Sequence, residues 1–327
     1  MKKRVCVISL LLCAALLTAC AAPAAEPGNA APAATGEPAV TATPEPTATP
    51  IPPSTEPDPT ASPEKNGAVD VEIHRYDSED IYDETDPDIM LLSFFAELPV
   101  VTAADAPDVA AAINAALEED HRLFVQGREE QPEYNISGKD AYLAAARSDL
   151  DMWREMGNLA GFQTYWLRRA VEAQRTDAVV LSLTYDDVTW TGGAHGYAFR
   201  TGVNFDARTG ERLTLADITY DLDAFTNSVA AKLLEITGEH PEYDYYPGYE
   251  ENLPGLVTDG GWYFSNVGLV IVANPENIAR YADGRIEFVL PYSWLAGWTQ
   301  INTEYFPRME ADGEAQTNIH CGIILYD

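Results

Sequence analysis

Cysteine is nearly absent: a chain of 327 residues holds four, Cys6, Cys13, Cys20 and Cys321. Three of them fall within the first twenty residues, so no disulfide framework staples the rest and stability has to come from packing. Lysine is as scarce. Only Lys139 and Lys232 lie beyond residue 68, and 52 acidic residues face 20 Lys and Arg, for a formal net charge of −32. A field of that sign repels nucleic acid and anionic lipid and attracts a cationic partner; a soluble extracellular surface carries the same sign. Short catalytic signatures are missing too. There is no Gly-x-Ser-x-Gly, His-Glu-x-x-His, Cys-x-x-Cys or Walker pattern. The histidines, His74, His121, His195, His240 and His320, show no short ligand spacing, so no metal or cofactor is expected.

Aromatic residues are missing from the whole beginning of the chain, where Tyr76 is the earliest. Lys2, Lys3 and Arg4 precede an apolar run from Val5 to Ala19. That run suits a signal-peptide core and falls short of the about 20 residues a spanning helix needs. It ends in Leu17-Thr18-Ala19-Cys20, which resembles a bacterial lipobox. The resemblance implies a signal peptide over residues 1–20 and lipidation of Cys20. An ordinary secretory signal cut among residues 18–22 is the alternative. Residues 21–68 hold more than half of the 22 prolines and no aromatic residue. Such a segment cannot bury enough apolar surface to offset its ordering entropy, which predicts a disordered Pro/Ala/Thr-rich tether. Extended at about 3.1 Å per residue, it reaches on the order of 100 Å. The expected location is the extracellular face of the cell membrane, with the lipid anchor as the membrane contact.

Beyond the tether, residues 69–73 and 89–101 read as strands around an acidic run, Asp77 to Asp88. That run reads as a solvated linker, since it lacks a Gly-containing loop with calcium-ligand spacing. Asp105 with Pro107 starts a helix that sets Val109, Ile113, Leu117 and Phe124 on one face. Residues 139–156 predict a second helix on Tyr142, Leu143, Ala146, Leu150 and Trp153. Residues 162–174 and 178–190 predict a hairpin. In it Leu181, Leu183 and Tyr185 alternate with Ser182, Thr184 and Asp186, as in a strand with unequal faces. Residues 197–206 return as a strand, and 221–236 predict a helix on Leu222, Phe225, Val229, Leu233 and Ile236. Further strands are expected at 262–264, 269–273 and 286–290. A last one sets Ile319, Cys321, Ile323 and Leu325 on one face, with Cys321 a buried thiol. The pattern predicts an α+β fold of antiparallel sheets with packed helices.

Several of these stretches carry a resemblance. Tyr185 to Gly196, Asn204-Phe205-Asp206, Thr209-Gly210-Glu211 and Leu213 to Ile218 form its first part. Tyr263 to Val270, Asn274, Tyr281-Ala282-Asp283-Gly284 and Phe288 to Pro291 continue it in the same order. Together they resemble the RsiV-like domain of a lysozyme-sensing anti-sigma factor's ectodomain. Residues 69–175 are similar to the module that precedes it there and in PdaC-type peptidoglycan deacetylases. The resemblance implies two consecutive modules, 69–175 and 176–296, followed by a C-terminal extension, 297–327, with a closing strand. It also implies noncovalent binding rather than turnover, with a lysozyme-type cell-wall hydrolase as partner. A lipid anchor in place of a transmembrane helix and cytoplasmic domain implies a tethered binder without direct signalling.

The candidate binding residues are Gly192, Gly193, His195, Tyr245, Tyr246, Tyr249, Asn274 and Tyr281. Gly192, Gly193 and Gly196 permit positive φ in a tight connection where His195 caps or packs. A hydrolase centred on His195, with Asp186 or Asp187 as its carboxylate, is a lesser alternative. Tyr243, Tyr245, Tyr246, Tyr249, Trp262 and Tyr263 cluster around Pro247 and Gly248. They either present rings to a sugar or a protein partner, or cover the core beneath a long loop. The other functional reading is therefore a scaffold that binds peptidoglycan or another glycan.

Overall fold

The computed structural model describes residues 69–127, 137–306 and 322–323. Residues 1–68, with Cys20 and the tether, and Cys321 lie outside the described residues. Two sheets and packed helices make up an α+β fold. Strands β1 (Asp70–Tyr82) and β2 (Met90–Thr102) form a hairpin, followed by helices α1 (Pro107–Gln126) and α2 (Lys139–Glu155). Strands β3 (Tyr165–Thr176), β4 (Val180–Trp190) and β5 (Tyr197–Asp206) complete a five-stranded sheet of order β1-β2-β3-β4-β5. The short α3 (Leu215–Ile218) and α4 (Leu222–Glu239) lead to β6 (Trp262–Phe264), β7 (Gly268–Ala273) and β8 (Ile286–Pro291). These strands build the second sheet, whose order is β6-β7-β8-β9, with Gly322–Ile323 as β9 against β8. Among the described residues no helix is long and apolar enough to cross a membrane.

The first sheet departs from the antiparallel expectation at one place. β2 and β3 run parallel, Leu92 opposite Tyr165. A parallel pair needs a crossover of a dozen or more residues, and α1 and α2 are that crossover. They cover one face of the sheet. From α1, Ala110, Ile113, Leu117 and His121 are buried, with Val109 and Phe124 only partly so. The first set meets Leu181, Leu183, Val203 and Phe205. From α2, Tyr142, Ala146 and Leu150 meet Leu92, Phe94 and Leu167. The 175/176 boundary falls at the end of β3, within this one sheet.

The acidic run is not a linker throughout. Asp77, Glu79 and Asp80 belong to β1, an edge strand whose outward side chains tolerate charge. The rest is an ordered turn. The Asp83 carboxylate accepts from Arg154 Nη2 (2.6 Å), the Thr85 hydroxyl (2.6 Å) and the Asp86 N–H (2.9 Å). Arg154's guanidinium, with Thr85, holds that carboxyl well below the usual carboxylate range. The hairpin turn is thereby tied to the last turn of α2.

In the second sheet, α4 starts at Asp221, whose carboxylate accepts the Ala224 N–H at 3.0 Å. Phe225, Val229, Leu233 and Ile236 bury against Leu269, Ile271, Phe288 and Leu290. Full burial of each such side chain is worth about 1.5–3 kcal/mol. Leu222, expected on this face, sits in the first turn and is 42 % exposed.

β4 has no solvent face over its first half. Ser182 and Thr184, the polar half of the alternation, are as buried as Leu181 and Leu183. β6 crosses them. Ser182 Oγ accepts the Phe264 N–H (3.0 Å) and donates to Asn204 Oδ1 (2.6 Å), and Asn204 Nδ2 donates to Trp262 O (3.2 Å). The crossing leaves no room for a side chain at Gly202, where a Cβ would stand 1.7 Å from Trp262 O. Trp262 and Tyr263 are therefore core residues of β6 rather than part of a surface aromatic cluster.

Candidate functional site

The β4–β5 connection is shaped by its glycines. Gly192 and Gly193 adopt φ of 85° and 98°, a region L side chains avoid. The Gly193 N–H donates to Gln163 Oε1 at 2.9 Å. The loop carries His195 outward, where its ring stacks on Tyr281 with centroids 3.9 Å apart and planes 25° apart. Tyr197 meets the same imidazole edge-on at 5.9 Å. Nδ1 of His195 lies 3.1 Å from Gly196 O.

Asp186 and Asp187 do not serve this histidine. Alternation sends them to opposite faces of β4, and each is held by arginine. Arg169 clamps Asp187 with Nε and Nη2 at 2.7 and 2.6 Å. Arg200 grips Asp186 at 2.9 and 2.5 Å, and Arg285 adds a third bond at 2.9 Å. Arg200 and Arg285 also pair with Glu287, which is fully buried and accepts the Tyr263 hydroxyl at 3.0 Å.

Tyr281 belongs to the β7–β8 connection, and so does Asn274. The Asn274 carboxamide accepts the Arg200 N–H and donates to Arg200 O. The same connection receives the tyrosine-rich segment. Tyr245 bridges to Ala279, the Tyr246 N–H donates to Ile278 O at 2.9 Å, and Asp244 pairs with Arg280. Tyr245 stacks on Tyr249 at 4.6 Å, and Tyr249 Oη lies 3.0 Å from Thr237 Oγ1 on α4. Both rings pack against the core of the second sheet, and burial pushes the Tyr245 phenol up. All eight candidate residues thus fall on three connections, of which the β7–β8 one touches both of the others. Their roles differ: Tyr245 and Tyr249 roof the core, Asn274 seals a strand edge, and His195 with Tyr281 meets solvent.

A second concavity has no counterpart in the sequence reading. A cleft of 780 Å³ lies between the C-terminal end of α1, the start of α2 and the helix-facing side of β3–β5. On its wall the Arg169 guanidinium lies over the rings of Phe124 (4.1 Å) and Tyr185 (4.4 Å). Asp120 accepts the Tyr185 hydroxyl at 3.1 Å and pairs with Arg212. Burial, reinforced by the Asp120 charge, pushes the Tyr185 phenol up, so it stays a donor. Tyr197 and Phe199 stand at the cleft with nearly parallel rings, 49 % and 43 % exposed. The alternation Tyr185, Asp187, Thr189 and Tyr197, Phe199, Thr201 was the available signal. It marks one sheet face that turns polar and aromatic where the helices stop covering it. Among the described residues, no group of three or more His, Cys, Asp or Glu is placed to hold a metal ion.

Residues 217–293 match a family described as "Protein of unknown function (DUF3298)". The chain is similar to a solved DUF3298 protein from Bacteroides fragilis, at 20% identity and a TM-score of 0.53, covering 74% of this chain and 96% of that one. A DUF3298 protein from Pseudomonas aeruginosa is 17% identical with a TM-score of 0.42, covering 73% and 98%. The Bacteroides structure shares the fold. No curated relative matches the chain.

Proposed function

We propose that this chain is a noncovalent binding protein, held by lipid at the outer face of the cell membrane, whose partner is a cationic protein of the lysozyme type. One observation carries the reading. The tyrosine-rich connection and the β7–β8 connection, joined at Tyr245–Ala279 and Tyr246–Ile278, expose Glu242, Asp244, Glu250, Glu251 and Glu276, and Tyr281 of the second stacks on the exposed His195. Rim carboxylates steer and orient a cationic partner, and the net charge of −32 extends their reach. An aromatic pair beside them offers a contact of large area. The resemblance to RsiV-like and PdaC-type modules, taken as two consecutive units, supports the same reading, and Leu17 to Cys20 supply the anchor. Binding without turnover agrees with Asp186 and Asp187 being committed to arginines rather than to His195.

Calorimetric titration of the purified chain with lysozyme tests this. The expected result is submicromolar binding at low salt that weakens as added salt screens the charges. No binding at low salt overturns it. Replacement of Cys20 by Ser should move the chain from the membrane fraction to the medium, and retention in the membrane would remove the anchor from the proposal.

A further inference from the structure

The cleft between the α1 and α2 ends and the first sheet adjoins the β4–β5 connection through Thr191 and Tyr197, which meets His195 edge-on, but it has its own chemistry. We propose that it is a binding site for a neutral oligosaccharide. Three features select that class. Among the described residues that line it, the charges are matched in pairs, Arg169 with Asp187 and Arg212 with Asp120, with no surplus for an ionic ligand to answer. The strongly negative chain disfavours an anion besides.

The paired groups are also polar and rigid. A guanidinium that donates two bonds to one carboxylate and lies over two aromatic rings is already in place before a ligand arrives. Such pre-organised donors and acceptors suit hydroxyl groups, which both give and take hydrogen bonds. A purely apolar ligand would bury them without compensation. Thr191 and Thr201 line the same wall.

The third feature is the pair Tyr197 and Phe199. Their centroids are 6.1 Å apart with planes 8° apart, and both residues stay exposed while lining a concavity. Aromatic faces of this kind take up the C–H-rich face of a pyranose, which is apolar on its faces and polar on its rim. The cleft volume lies in the range of ligand sites that enclose most of a small ligand.

The test is calorimetry of the full chain with three tetrasaccharides: tetra-N-acetylchitotetraose, cellotetraose and maltotetraose. The expected result is saturable binding of at least one, weakened tenfold or more in both Tyr197→Ala and Phe199→Ala and insensitive to salt. The preferred sugar separates N-acetylated cell-wall-type glycans from plain glucans. Both rings are exposed, so the variants should melt with the parent chain; Thr201→Val offers a smaller change on the same wall, with the same expected direction. No binding of any tetrasaccharide at millimolar concentration, or undiminished affinity in the ring variants, overturns the proposal. Lysozyme titrated separately against Phe199→Ala keeps the two readings distinct: sugar binding can be lost while salt-sensitive protein binding persists, and the reverse.

Discussion

Asn274 closes the outer edge of β5 by giving both ends of its carboxamide to the backbone of one residue, Arg200. The Arg200 N–H donates to Oδ1 at 2.7 Å, and Nδ2 donates to the Arg200 carbonyl at 3.1 Å. Farther along the same edge the Gly202 N–H donates to Gly260 O, and Asn204 O accepts the Leu213 N–H. An edge strand left open is a template for intermolecular pairing; here each outward residue is taken in turn by a segment of the second half of the chain.

Asn274→Ala should therefore leave two backbone groups without protein partners. The expected loss is about 1–3 kcal/mol, read from the urea midpoint. Amide exchange at Arg200 should rise more than at Val203, which is buried on the opposite side of the alternation. Equal acceleration at both would show that the clamp is not local.

Gly202→Ala should be far worse than its size suggests. The added Cβ meets backbone, Trp262 O at 1.7 Å and Trp262 C at 2.5 Å, so β6 must move. Overpacking of this kind costs about 1–3 kcal/mol or more. The variant should lose cooperative unfolding of the second sheet, seen as a lowered, broadened melting transition in the Trp262 environment. Gly238→Ala, with nothing within 4 Å of its Cβ, serves as the control and should be neutral or slightly stabilising.

Glu287→Gln removes the charge at the centre of the network between the sheets, where Arg200, Arg285 and the Tyr263 hydroxyl converge. Breaking one partner of a buried ion pair costs up to about 3–5 kcal/mol; Asp186, which stays bonded to both arginines, should hold the loss to the lower part of that range. A smaller loss in the Glu287→Gln, Arg285→Met double variant than in the single one would verify the coupling.

His121 gives the chain a pH response. It is buried on α1, and burial, followed by the nearby Arg169 charge, holds its imidazole below the ordinary value of 6.5; Asp77 acts in the opposite sense. The unfolded chain takes up this proton near pH 6.5 and the folded chain only at lower pH. Stability from this group is thus complete above that value and falls as pH drops below it, down to the folded pKa. The urea midpoint should fall between pH 8 and pH 5.5, and His121→Leu should flatten that part of the curve. An unchanged slope in the variant would assign the effect to another group.

Much of the architecture was legible from local pattern. The stretch around Ile113 and Leu117, the Asp221 cap with Phe225 to Ile236, and the strands from Tyr165 to Asp206 follow from periodicity and capping chemistry. The acidic run is not legible as a strand because charge suggests solvent, while an edge strand can carry charge and still pair with Ser93 to Phe95. Trp262 and Tyr263 were grouped with the loop tyrosines because they neighbour them in sequence, yet three residues of strand place both in the core.

Local pattern and composition suffice for the helices and strands and for the acidic balance of the chain, because these depend on residue types and on contacts a few residues apart. Long-range packing sets the parallel pairing of β2 with β3, the burial of Ser182 and Thr184 beneath β6, and the different arginines that hold Asp186 and Asp187. It alone gathered His195, Asn274 and Tyr281 from segments some eighty residues apart, and hollowed the cleft beside Tyr197 and Phe199. The reason is physical. Alternation says which residues share a face, but what covers that face is settled by packing and backbone hydrogen bonds between distant segments, and no local period encodes those partners.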